Sequence, residues 1–118
     1  MPMIGNFTTT YSAASGTIGP LNDPGTSAVG RWIIDVKITV GTATLTPQKR
    51  LKVDTTVTAH AFANCWYTND LTNTQVTAGT TITANGVYSI LSDACDVQLT
   101  YTTAGGGIIE IFCTPVTG

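Results

Sequence analysis

An all-β fold, a β-sandwich or jelly roll of about eight strands with an extended N-terminal arm, is what three features of this 118-residue sequence predict. Apolar residues recur with a period of two in RWIIDVKITV (31–40) and CDVQLTYTT (95–103), the signature of half-buried strands. Threonine makes up roughly a fifth of the chain, and its β-branched side chain suits the pleated surface of a sheet. Gly, Pro and Asn clusters punctuate the sequence at short intervals, and no stretch carries the 3.6-residue period of an amphipathic helix. Short strands at this spacing, in one chain of this length, give a sandwich.

Taken in order, residues 1–30 form the extended arm and residues 31–118 the β-sandwich domain. The arm is rich in Gly, Ser, Thr and Pro and nearly uncharged, and PLNDPG (20–25) breaks it with turn residues. With so little to bury, it is ordered only where it lies on something, its own sandwich or a neighbouring subunit. A strand within its own sheet over Asn6 to Ser12 is the alternative for part of it. In 31–40, Trp32, Ile34, Val36, Ile38 and Val40 share one face, with Asp35, Lys37 and Thr39 on the other. TATLTP follows, where Pro47 is expected to stop the ladder. LKVDTTVTAHAF (51–62) has mixed spacing that suits a bulge or bend, NCWYTN (64–69) is a short aromatic strand, and TQVTAGTTIT is a polar one broken at Ala78-Gly79. Asn85-Gly86 predicts a tight hairpin. In the next strand Cys95, Val97, Leu99 and Tyr101 point inward while Asp96, Gln98 and Thr100 point outward; AGGG (104–107) is a turn, and GIIEIFCTP is the last strand.

Charge and chemistry exclude several function classes. Only 10% of residues are charged and the formal net charge is −2, whereas nucleic-acid binders carry an extended basic surface. No apolar run is long enough for a membrane helix. MPMIGNFTTTYS lacks a basic segment followed by an apolar one, so no secretory signal is read there. Cys65, Cys95 and Cys113 show no C-x-x-C spacing and sit among apolar neighbours, which predicts free thiols in a reduced core. His60 is the sole histidine, so a zinc ligand set is missing. No carboxylate lies within three residues of it, as a general base would need for orientation, and a structural role fits it better. Asp93 and Asp96, at i and i+3, read as a turn cap rather than an acid–base pair or a calcium loop. The chain is read as no enzyme, with no cofactor and no metal.

Two features remain as candidates for binding. PQKRLK (47–52) holds Lys49, Arg50 and Lys52, three of the five cations in the chain. It is either a solvated basic turn or a contact for an acidic surface. Trp66 and Tyr67 are adjacent, so a strand sends them to opposite faces and at most one lies in the core. The exposed one, flanked by Asn64, Thr68, Asn69 and Asp70, could stack on a sugar ring; packing under the arm or at a subunit interface is the other reading. Thr, Ser and Asn protect the strand edges only weakly, which favours a surface covered by copies of the same chain.

The order GTATLTPQ (41–48), NCWYTN (64–69), TANGVYSI (83–90), CDVQLTY (95–101) and IIEIFCTP (108–115) resembles small β-sandwich structural proteins of tailed bacteriophages, particularly capsid decoration or cement proteins. The resemblance spans Trp32 to Pro115. It implies a homotrimer that sits on the major capsid protein of the head shell and stabilises it, made in the host bacterial cytoplasm and carried in the virion. It also implies that Lys49, Arg50 and Lys52, with Phe7 and Tyr11 of the arm, face the shell. The alternative is a glycan-binding, lectin-like module of a tail or fibre appendage that uses Trp66 or Tyr67.

Overall fold

Two strands of 23 residues each organise the molecule. The computed structural model describes residues 7–19, 21, 29–51, 61–92 and 95–117. These are all-β with no helix: β1 (Phe7–Tyr11), β2 (Ser15–Ile18), β3 (Val29–Leu51), β4 (Ala63–Asn64), β5 (Tyr67–Asn69), β6 (Thr74–Val76), β7 (Gly86–Leu91) and β8 (Cys95–Thr117). All belong to one antiparallel sheet in the order β1-β8-β3-β7-β5-β6, with β2 added to β8 and β4 to β3.

A flat 23-residue strand would reach about 75 Å at ~3.3 Å per residue, yet the longest dimension of the molecule is 43 Å. The long pair therefore bends. Register shifts between Ile38 and Val40 and between Val40 and Thr42 mark the place. There Gly41 takes φ 64°, while Gly105 and Gly106 of β8 take 65° and 70°, a left-handed region that glycine enters without steric penalty. One half of the ribbon pairs 29–40 with 108–117 and carries β1, β7, β5 and β6. The other pairs 42–51 with 95–104 and carries β2 and β4.

Both halves close over one core, so the two sandwich layers are halves of a single folded sheet. Trp32, Ile34, Val36, Ile109, Ile111 and Cys113 enter it from one side, and Ala43, Leu45, Val97, Leu99 and Tyr101 from the other. Each large apolar side chain buried this way contributes roughly 1.5–3 kcal/mol. The β6–β7 connection ties the layers together, because Leu45 and Ile82 exchange both backbone hydrogen bonds (2.9 and 2.7 Å).

The N-terminal segment straddles the same bend. β1 runs along β8 from Phe7↔Cys113 to Tyr11↔Ile109, and β2 from Ser15↔Thr102 to Ile18↔Leu99. Ile18 and Leu21 are fully buried, and the Leu21 N–H donates to the Val97 carbonyl at 2.8 Å. These two apolar residues anchor a stretch whose composition otherwise offers little to bury. PLNDPG lies outside the described residues apart from Leu21, as does most of 51–62.

Several local expectations are corrected. Pro47 does not end its strand but sits opposite Leu99 within β3. Its carbonyl accepts from Cys65 N–H (3.2 Å), and in an antiparallel strand a residue's N and C=O face the same neighbour. The absent N–H thus points away from β8, and that ladder loses nothing. AGGG is the bend inside β8 rather than a turn between strands. The hairpin lies at 69–74, where Asn69↔Thr74 closes a loop with Asn73 at φ 55°. Asn85 and Gly86 lack the positive φ of a type I′ turn; Asn85 Oδ1 instead accepts the Ile38 N–H at 2.7 Å. Asp96 and Gln98, expected in solvent, are only 2% and 9% exposed.

Candidate functional site

The basic stretch is divided by the geometry of its own strand. Successive side chains of β3 point to opposite faces, so Lys49 and Arg50 diverge. Arg50 Nε donates to Asp96 Oδ2 at 3.2 Å, and its guanidinium lies 4.5 Å from the centroid of the Phe62 ring. Asp96 is buried, and its Oδ1 has no hydrogen-bond partner among the described residues. Beside this pair, Gln98 Nε2 donates to Gln48 Oε1 (2.8 Å) and Gln48 Nε2 to Asn64 Oδ1 (3.0 Å). These cross-strand bonds explain why the second face of β8 tolerates burial of polar groups.

Lys49 takes the other face. Its Nζ donates to the Leu91 carbonyl at 2.7 Å, and it lines a cleft of about 500 Å³ together with Trp66, Tyr67, Thr68, Gln75, Ser89 and Leu91. The path of the chain sets which aromatic is exposed. Asn64 pairs with Gln48 and Cys65 N–H bonds to Pro47, so Cys65 turns into the core and Trp66 outward. Trp66 is 52% exposed, while Tyr67 is buried with its ring edge-on to Tyr88 at 5.9 Å. At the cleft wall Ser89 Oγ donates to Asp70 Oδ1 (2.9 Å), and Asp70 N–H bonds to the Val87 carbonyl (2.8 Å). Composition gave no sign of this cleft. Its lining comes from β3, β5, β6 and β7, so the sequence could indicate only that one member of the Trp66–Tyr67 pair was exposed.

The other candidates do not gather here. Tyr11 is half-buried, with its ring 5.4 Å from that of Tyr101. Phe7 is described by its backbone pairing with Cys113 alone. Lys52, His60 and Asp93 lie outside the described residues. No cluster of three His, Cys, Asp or Glu side chains able to hold a metal occurs among the described residues. Cys65 and Cys113 are free and buried, and burial pushes their thiols up to about 11 and about 12. Both stay protonated at neutral pH, when only the thiolate is nucleophilic. Iodoacetamide at pH 8 should therefore leave Cys65 and Cys113 unlabelled in the native protein and modify both once denaturant is added. Peptide mass mapping checks this, and native-state labelling of Cys113 would contradict its place in the core.

No protein-family model matches the sequence, and no curated protein matches it either. Among solved structures, the fold resembles that of the SPBc2 prophage-derived protein YomS, with 10% identity, a TM-score of 0.52, and 94% of this chain and 95% of that one covered. A structure of infectious bursal disease virus, Gx strain, aligns at 14% identity and a TM-score of 0.39 over 97% of this chain and 30% of that one. That second value is too low to carry an argument. The likeness to YomS is one of fold, and it runs from end to end.

Proposed function

We propose that this chain is a non-enzymatic structural protein of a bacteriophage virion, a decoration or cement subunit that binds the head shell as a homotrimer and stabilises it. The observation that carries the reading is the end-to-end likeness of fold to a prophage-derived protein. The surface supports it. Among the described residues, the sheet ends at β1 and β6 with no further strand beyond them, and few charges guard a chain in which only 10% of residues are charged. Strand edges of this kind are stable in solution when copies of the chain or a larger surface cover them. Three weak contacts made by one trimer combine through effective concentration, so attachment needs no single dominant residue.

Within this reading Lys49 and Lys52 supply the electrostatic part of docking to an acidic shell. Arg50 and Tyr11, already engaged with Asp96 and Tyr101, hold the docking surface in shape. Light scattering of the full chain should give three times the 12.3 kDa chain mass. Co-sedimentation with head shells lacking the protein should show saturable binding. Replacing Lys49 and Lys52 by Ser should lower occupancy most at low salt and leave what remains less sensitive to salt. A monomer that ignores shells would overturn the proposal, and unchanged occupancy of the double variant would remove the role of the two lysines.

A further inference from the structure

We propose that the cleft beside Trp66 is a binding site for an acidic saccharide, a pyranose oligomer bearing carboxylates. The inference does not depend on where in a virion the protein resides. Trp66 leaves half of a large aromatic surface in water, at the mouth of a cleft whose volume of about 500 Å³ lies in the range of small-ligand sites. An exposed indole offers a flat π face, and the C–H face of a pyranose ring is the apolar surface that fits it while leaving the hydroxyls at the edge.

The rest of the lining supplies partners for those hydroxyls. Thr68 and Gln75 present a hydroxyl and a primary amide on the paired strands β5 and β6, directly opposite one another in the register. Ser89, opposite Thr68 on β7, has its hydroxyl proton directed at Asp70. Its oxygen therefore keeps acceptor capacity alone for a ligand hydroxyl. Thr68, Gln75 and Ser89 thus form one polar row across three strands, with Trp66 beside it. Such a row matches a chain of sugar hydroxyls better than the apolar anchor of a protein partner, which needs a desolvated pocket.

The charge in the cleft selects the class of sugar. Among the described residues that line the cleft, Lys49 alone carries a formal charge, while the Asp70 carboxylate next to the wall is engaged by the Ser89 hydroxyl. The hydrogen bond of Lys49 to the Leu91 carbonyl holds the ammonium at the wall. An ammonium beside a stacking platform favours a ring that carries a carboxylate over its neutral counterpart.

The test is calorimetric titration of the full chain with oligogalacturonate and with the corresponding neutral galactose oligomer. Wild type should prefer the acidic oligomer by about fivefold, and the preference should shrink with salt and vanish in Lys49→Gln. Trp66→Ala should weaken saccharide binding at least about tenfold while leaving attachment to head shells unchanged. Lys49 is shared with the proposed capsid contact, so the tryptophan variant is the one that tells the two readings apart. Trp32, the other tryptophan, is fully buried, so a ligand-induced change in tryptophan emission reports on Trp66. Trp66→Phe keeps a ring and should retain partial affinity if the alanine variant does not fold. Binding of neither oligomer, equal binding of both, or full affinity in a folded Trp66→Ala protein would each overturn the proposal.

Discussion

Replacing Arg50 by Ala should lower the stability of the protein by about 3 kcal/mol, although Arg50 belongs to a stretch that reads as a solvated basic turn. Its side chain is 24% exposed, but that of its partner Asp96 is only 3% exposed. Removing the guanidinium strands a carboxylate that has no other compensating charge among the described residues and one oxygen without a hydrogen bond to them. Taking away one member of a buried pair typically costs about 3–5 kcal/mol; the partial exposure of Arg50 places this case at the low end. Loss of the stacked Phe62 contact adds to the effect. For a domain of this size the melting temperature should fall by about 12 °C. The paired variant Arg50→Met with Asp96→Leu removes both charges and keeps most of the volume, so it should recover stability to within about 1 kcal/mol of wild type. Reversible urea unfolding of wild type, single and double variants decides the matter. An Arg50→Ala protein as stable as wild type would show that Asp96 is solvated after all.

How far the sequence discloses this structure depends on which physical rule acts at each place. The core face of β3 was legible because Trp32, Ile34 and Val36 alternate with Ile33, Asp35 and Lys37, and a period of two leaves one arrangement that buries the large residues. The same rule failed for Asp96 and Gln98. Alternation identifies one buried face but does not show that the opposite face is covered, and here cross-strand partners on β3 make that burial tolerable. Strand length was hidden for a related reason. Pro47 and AGGG are both strand-breaking in general, yet one faces an edge and the other serves as a bend. At the cleft, adjacency of Trp66 and Tyr67 set their opposition, while the pairing of Asn64 and Cys65 with β3 decided which one faces water. The divergence of Lys49 and Arg50 was available in advance from strand alternation, once PQKRLK is read as strand instead of turn.

The bend makes the sharpest separation between conformational strain and steric conflict. Gly41→Ala should destabilise the fold by about 3 kcal/mol or more, and Gly106→Ala by only about 1 kcal/mol, though both glycines have left-handed φ values, 64° and 70°. The left-handed conformation alone costs a non-glycine residue roughly 1–2 kcal/mol, and the two positions share that penalty. They differ in what surrounds them. A Cβ on Gly41 would lie 2.4 Å from the Ala104 carbonyl oxygen and 3.0 Å from both the Gly105 oxygen and the Gly107 Cα, whereas a Cβ on Gly106 meets nothing within 4 Å. The obstructing atoms at Gly41 are backbone and cannot rotate aside. Relief requires β3 and β8 to separate at the point where both long strands fold, adding about 1–3 kcal/mol of overpacking. Because the two halves of the sheet share one core, opening the bend also loosens packing on either side of it. Urea unfolding of the two variants measures the difference directly. Equal losses at both positions would mean that the close approach of Gly41 to β8 does not hold the bend, and that the core alone keeps the two layers together.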